Sequence, residues 1–300
     1  MTTYHQPVLL NEAIEGLNIQ ASGIYVDATF GGGGHSREIL KRLGKKGRLY
    51  AFDQDEDAAT QVPEDKRILF TRGNFRFLEN YLRFFCVKRV NGILADLGVS
   101  SHHFDAPERG FSYRYNAPLD MRMNRKSILT AAKIVAEYPG PELERIFRTY
   151  GELHNSRKVA ESIVAARTSQ KIDTTRDLVA IIQSFIPLRQ ANQYLSKVFQ
   201  ALRIEVNREI DNLSGLLQQS SLLLQCGGRL AVISYHSLED RLVKNYFKSG
   251  NIGGITQKDV FGNFSVPFNA INTRPVIPSD KEIKTNTRAR SAKLRVAEKN

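Results

Sequence analysis

The run Asp27-Ala-Thr-Phe-Gly31-Gly32-Gly33-Gly34-His35-Ser36 constrains this chain more than any other stretch. It follows the short β-rich run Ile24–Asp27 and precedes residues 37–43, where Ile39, Leu40 and Leu43 recur at helical spacing. Four glycines at a strand-to-helix junction let the backbone take positive φ and approach a ligand closely, while the free N–H groups of the helix start face it. The helix is expected to open at Ser36 and end at Gly44. A dinucleotide-binding turn, G-x-G-x-x-G, fails because Ser36 holds its sixth position.

Further strands are expected at Arg48–Asp53, Ile68–Thr71, Gly92–Asp96 and Arg229–Ser234. A helix marked by Ile210, Leu213, Leu217 and Leu224 is expected to stop at Gly227-Gly228, and a capping box is read at Ser237–Asp240. Alternating β and α elements predict an α/β doubly wound parallel sheet, with ligands at the C-terminal ends of its strands. Asp53 ends the second strand, where a carboxylate can accept from both hydroxyls of an adenosine ribose. Asp96 ends the fourth, placed to accept from a cofactor amino group or from the substrate. Carboxylates at Asp27, Asp53 and Asp96 suit a phosphate-free cation such as S-adenosylmethionine better than a pyrophosphate.

Residues 104–207 have another texture. Apolar residues recur at helical spacing over 128–138, 142–150, 157–167 and 176–186, without a convincing strand, which predicts an all-helical insertion. The organisation read here is 1–103 and 208–272 for the α/β part, 104–207 for the insertion, and 273–300 for a basic extended arm. Charge follows this division. The chain has 43 basic and 31 acidic residues, a net charge of +12. The α/β pieces are nearly neutral, whereas the insertion holds 16 basic against 11 acidic residues and the arm 8 against 3. Such regional excess points to a polyanion. Arg109, Phe111, Tyr113 and Arg114, with Phe104 and Tyr115, interleave aromatic and guanidinium groups as an RNA-binding wall would. Arg288, Arg290, Lys293 and Arg295 are the phosphate-binding candidates of the arm.

Cys86 and Cys226 have no Cys-x-x-Cys companion, which leaves no disulfide framework and no zinc site to build, and His102-His103 stands too isolated to hold a metal. No run of about 18 apolar residues and no basic-then-apolar N-terminal pattern is present, so a cytoplasmic protein is expected.

Eight ordered motifs carry a closer likeness: HQPVLL at 5–10, DATFGGGGHS at 27–36, DLGVSS at 96–101, ERGFS at 108–112, PLDMRM at 118–123, QALRIEVN at 200–207, SYHSLEDR at 234–241 and RARSAKLR at 288–295. In these the chain resembles the bacterial RsmH (MraW) family, methyltransferases that use S-adenosylmethionine to methylate the 4-amino group of a cytidine in the decoding region of 16S ribosomal RNA. The resemblance implies a class I (Rossmann-like) methyltransferase fold with an inserted helical substrate-recognition domain. It implies cofactor contacts at Gly33, Gly34, His35, Asp53, Phe75 and Asp96, and at His103, where the family usually has glutamine. Thr287 stands where the family commonly has proline. The implied partner is 16S rRNA within the small ribosomal subunit, not DNA or a membrane. A cytosine amine needs an acceptor on its N–H as it rehybridises; Asp96 is the first candidate, Asp120 the second and His236 the third. Two other readings stand beside this one, a non-catalytic RNA-binding assembly factor and a nucleotide-dependent oxidoreductase.

Overall fold

The apolar runs ending in acids become parallel strands in the computed structural model, which describes residues 7–98, 106–256 and 265–300. Strands β1 (Ile24–Asp27), β2 (Arg48–Asp53), β3 (Ile68–Arg72), β4 (Val90–Asp96), β5 (Leu224–Ser234), β6 (Phe268–Ala270) and β7 (Lys293–Lys299) form one sheet in the order β3-β2-β1-β4-β5-β7-β6. Strands β1 to β5 pair in parallel. The order reverses between β1 and β4, the switch point at which open α/β sheets bind ligands. Register puts Asp27 opposite Leu94 and Asp96 opposite Ile233, so two carboxylates leave neighbouring strands at the same edge.

Period-2 alternation divides the strands between two cores. Ile93, Ala95, Leu230 and Val232 pack with Leu78 and Leu82 of α3 (Leu78–Phe84), and with Leu213, Leu216 and Leu217 of α9 (Glu209–Leu223). Leu94, Ala231 and Ile233 face the other way, onto Ala13, Ile14 and Leu17 of α1 (Leu10–Leu17) and Ile39 and Leu40 of α2 (Gly34–Arg42). This α/β part, Met1–Gly98 with Ile210–Asn300, is one compact unit, and Val99–Glu209 is the other.

Four expectations need correction here. The sheet is not wholly parallel, because β7 runs antiparallel to β5 and β6 antiparallel to β7. The last 28 residues are therefore no extended arm: Leu294 and Val296 bury into the α1 side of the sheet, and Asp280–Thr285 forms the short helix α11. Strand β5 already begins at Leu224, so the glycines at 227 and 228 lie within it instead of stopping the preceding helix. Helix α10 (Ser237–Ser249) is capped one residue earlier than expected, by His236, whose side chain accepts from Glu239 N–H.

The second unit is helical: α4 (Ala131–Glu137), α5 (Gly140–Thr149), α6 (Ser156–Ala166), α7 (Thr175–Gln183) and α8 (Ala191–Asn207). The four predicted helices are present, and α8, the longest at 17 residues, was not predicted. Its Leu195, Val198, Phe199 and Leu202 pack with Ile134, Leu143, Ile146, Phe147, Ile163 and Leu178 in one apolar core.

Candidate active site at the strand ends

The turn after β1 requires its glycines for two different reasons. Gly33 has φ of +73°, and a Cβ there would lie 2.6 Å from the Phe30 ring. Gly34 has an ordinary φ, but a Cβ would come within 2.8 Å of the Pro7 ring, so the N-terminal segment closes directly on the start of α2. Helix α2 begins at Gly34, two residues before the expected opening.

Asp27 is buried and serves the turn itself. The Ser36 hydroxyl donates to its Oδ2 at 2.6 Å and Thr29 N–H to its Oδ1 at 3.1 Å. Burial drives its pKa up to about 6, against the lowering effect of those two donors. Asp27 is thus a brace inside the loop, a role that its sequence position did not separate from ligand contact. Asp53 ties two strand ends together, accepting from Gly31 N–H at 2.8 Å through Oδ2 and from Asp55 N–H at 2.8 Å through Oδ1. A carboxylate oxygen has more than one lone-pair site, so an oxygen that accepts from a backbone N–H can accept from a ribose hydroxyl as well.

Asp96 is perturbed further than Asp27. Burial, and then the charges of Asp27 and Glu239, raise its pKa to about 7, while the Tyr235 hydroxyl opposes them by donating to Oδ1 at 2.8 Å. Its backbone N–H donates to Thr29 Oγ1 at 2.6 Å, which pins the strand end to the glycine turn. His35 Nδ1 lies 3.8 Å from Asp96 Oδ2, too far for a hydrogen bond. Burial pushes the His35 pKa down to about 4, and Nε2 of the neutral ring donates to Val8 O at 3.2 Å. Phe75, half-buried, stands in the short turn after β3, where the Asn74 side chain accepts from Arg76 N–H. Gly33, Gly34, His35, Asp53, Phe75 and Asp96 all belong to the α/β unit; His103 lies outside the described residues.

Sequence reasoning missed Tyr235. It stands one residue beyond β5 inside SYHSLEDR, and only its position after a strand end distinguished it. His236, the third acceptor candidate, is the cap of α10, with Nε2 3.2 Å from Glu239 Oε1. Asp120 lies in the helical unit. Burial alone would raise its pKa, but the hydrogen bonds and charge of Arg122, at 2.7 Å from both oxygens, bring it below the usual range. A carboxylate held in that way is a poor proton acceptor.

The expected RNA-binding wall divides. Arg109 and Phe111 are only 4% exposed each; the Arg109 guanidinium donates to the carbonyls of Arg122 at 2.9 Å and Met123 at 3.1 Å and lies over the Phe111 ring. Both are core of the helical unit and not a surface for bases. Tyr113 packs edge-on against Phe199, whereas Arg114 and Tyr115 are exposed; Phe104 lies outside the described residues. In the C-terminal segment Arg288 and Arg290 are exposed, but Lys293 and Arg295 reach Asp240 at 3.3 Å and 2.6 Å.

These strand ends fit S-adenosylmethionine on their donor set. Acceptors dominate, the imidazole beside Asp96 is uncharged, and the guanidinium of Arg37 on the turn is directed to the carbonyls of Gly32 and Gln61. Such a site favours a ligand bearing hydroxyls and positive charge over one bearing phosphates. No helix among the described residues is long and apolar enough to cross a membrane.

Comparison with known proteins agrees with this chemistry. The chain is 54% identical over 298 residues to the ribosomal RNA small subunit methyltransferase H of Bacteroides fragilis, covering 99% of this chain and 98% of that one. It is 55% identical over 291 residues to the protein of the same name from Flavobacterium psychrophilum, covering 97% and 100%. Among solved structures, an rRNA methylase from Streptococcus thermophilus overlaps loosely, with a TM-score of 0.41 and 14% identity over 97% of this chain and 93% of that one. The model of the MraW methylase family matches residues 2–300, and the chain belongs to that family.

Proposed function

We propose that this protein is an S-adenosylmethionine-dependent methyltransferase of 16S ribosomal RNA, acting on the exocyclic N4 amine of a cytidine in the decoding region of the small subunit. The observation that carries the reading is the glycine turn braced by Asp27 beside Asp53 and the high-pKa carboxyl of Asp96, in a chain whose relatives are named ribosomal RNA small subunit methyltransferases. Gly33, Gly34 and His35 would hold the amino-acid part of the cofactor, Asp53 its ribose, and Phe75 its base, with His103 as a further contact. When bound, the cofactor supplies a methyl carbon made electrophilic by a sulfonium that leaves as a neutral thioether.

The amine nitrogen gains that carbon and loses one proton. Asp96 Oδ2 is the acceptor this chain offers: it takes an N–H hydrogen bond, assists rehybridisation of the nitrogen, and receives the proton. Acid–base assistance of this kind is worth about 10²–10⁴ in rate. Neutral His35 keeps a second positive charge away from the sulfonium, and the turn fixed by Gly33 holds the reactants in line.

The helical unit supplies RNA contacts through exposed Arg114 and its neighbour Tyr113, and the C-terminal segment through exposed Arg288 and Arg290. A cytidine must leave its stack to meet Asp96, which favours the unpaired RNA of an assembled small subunit as substrate. Incubation with methyl-labelled cofactor and small subunits lacking the modification, followed by nucleoside analysis, is expected to yield N4-methylcytidine. Label absent from cytidine would defeat the reading.

A further inference from the structure

Tyr235 has no part in the family's implied contacts, yet it makes the one side-chain hydrogen bond that Asp96 receives among the described residues, 2.8 Å from hydroxyl to Oδ1. Its own placement is fixed from two sides. The backbone N–H of Tyr235 donates to Glu239 Oε2 at 2.9 Å, and its ring lies so close to Gly98 that a Cβ there would meet it at 3.0 Å. We propose that Tyr235 is a positioning residue for methyl transfer: it engages Oδ1 of Asp96, fixes the carboxylate plane, and leaves Oδ2 as the acceptor for the substrate N–H. This rests on the reading of Asp96 as that acceptor.

The surroundings make the phenol a durable donor. Burial raises the Tyr235 pKa well above its ordinary value, and the nearby carboxylates Asp96, Glu239 and Glu282 raise it further. Tyr235 therefore keeps its proton throughout the working pH range and cannot itself serve as the base. Asp96 meets Tyr235 after β5, Asp27 from β1, Glu239 from α10 and the neutral His35 from α2. Of these, Tyr235 is the group that hydrogen-bonds the ionised form of Asp96 and so favours it. During transfer the N–C bond forms as the C–S bond breaks; the nitrogen then sheds its proton to Oδ2, and the hydrogen bond to Oδ1 holds the acceptor in place throughout.

The test uses the full-length enzyme with small subunits and methyl-labelled cofactor. Tyr235→Phe keeps the ring against Gly98 and removes only the hydroxyl. Its kcat is expected to fall about tenfold at neutral pH, and the acidic limb of its pH profile to move up by about one pH unit, as loss of a hydrogen bond to a charged group requires. Affinity for S-adenosylmethionine, measured by calorimetry, is expected to change less than about threefold. Site-specific 3-fluorotyrosine at position 235, a stronger donor, is expected to move the same limb down. Opposite displacements by the two variants cannot arise from a folding defect, and the fluorinated variant alone decides the matter if Tyr235→Phe does not fold. A limb that stays at the wild-type pH in the variants that fold overturns the inference, even where kcat falls. Failure of the wild-type enzyme to methylate cytidine at all would instead overturn the assigned function.

Discussion

The Asp96→Asn substitution keeps the acceptor oxygen that Tyr235 engages and removes the ionisable proton. In the native fold the Asp96 pKa rises from 3.8 to about 7, with burial as the first cause. A carboxyl whose folded value lies above its unfolded value contributes stability fully below about pH 4 and loses it as pH rises through about 7. The difference between the two values corresponds to about 4 kcal/mol at ~1.4 kcal/mol per tenfold change in proton affinity. The Asp96 side chain is 22% exposed and shares its environment with Asp27 and Glu239, so about 2–4 kcal/mol is the working range. Asp96→Asn is therefore expected to be more stable than wild type at about pH 8, to lose that advantage towards about pH 4.5, and to methylate far more slowly. With no tryptophan in the chain, hydrogen exchange of peptides from β4 and β5 in a denaturant series reads this stability directly. A variant no more stable than wild type at high pH, or stabilised equally at every pH, would refute the account of Asp96 as a buried carboxylate held in readiness.

Gly33→Ala places a Cβ at φ +73° and 2.6 Å from the Phe30 ring, so S-adenosylmethionine affinity should fall about tenfold or more by calorimetry. Arg109→Ala is expected to lower the melting temperature of the protein through loss of a buried group bonded to two carbonyls, while Arg114→Ala leaves it unchanged and weakens RNA binding in filter assays. Asp240→Ala leaves Arg295, 7% exposed, without its carboxylate and should cost about 3–5 kcal/mol in denaturant unfolding. RNA affinity should fall with salt at a log-log slope near about −4, as for about 6 phosphates on a single strand, whereas S-adenosylmethionine binding should depend little on salt.

The cofactor half of the enzyme was legible because its signals are local. Glycine beside a strand end, a carboxylate closing the next strand and apolar runs of four to seven residues each state their structure within a few positions. Helix α8 was not legible in the same way: Tyr194, Leu195, Val198, Phe199 and Leu202 carry a helical period, but Pro187 and the polar residues of 189–193 obscured the start. Tyr235 and His236 show a different limit. Their roles are set by Asp96, 139 positions from Tyr235, and by an N-terminal helix turn whose cap is a histidine, a residue type outside the usual capping set.

Strand β7 joins these failures to the question of charge. The segment KLRVAEK reads as a basic tail because Lys293 and Arg295 interrupt Leu294 and Val296, and a cation in a sequence is assumed to seek water. Arg295 is nevertheless buried, since Asp240 on α10 meets it 55 positions away, and that pairing lets the tail complete the sheet. The same pairing engages two of the cations expected to meet phosphate, as Arg122 with Asp120 and Arg109 with its carbonyls do in the helical unit. The net charge of the chain is therefore larger than the charge it can present to phosphate. Exposed Arg290 beside the sheet and exposed Arg114 on the helical unit are the ones whose loss should flatten the salt dependence, while loss of Arg295 should unfold the edge of the sheet without selectively weakening the RNA contact.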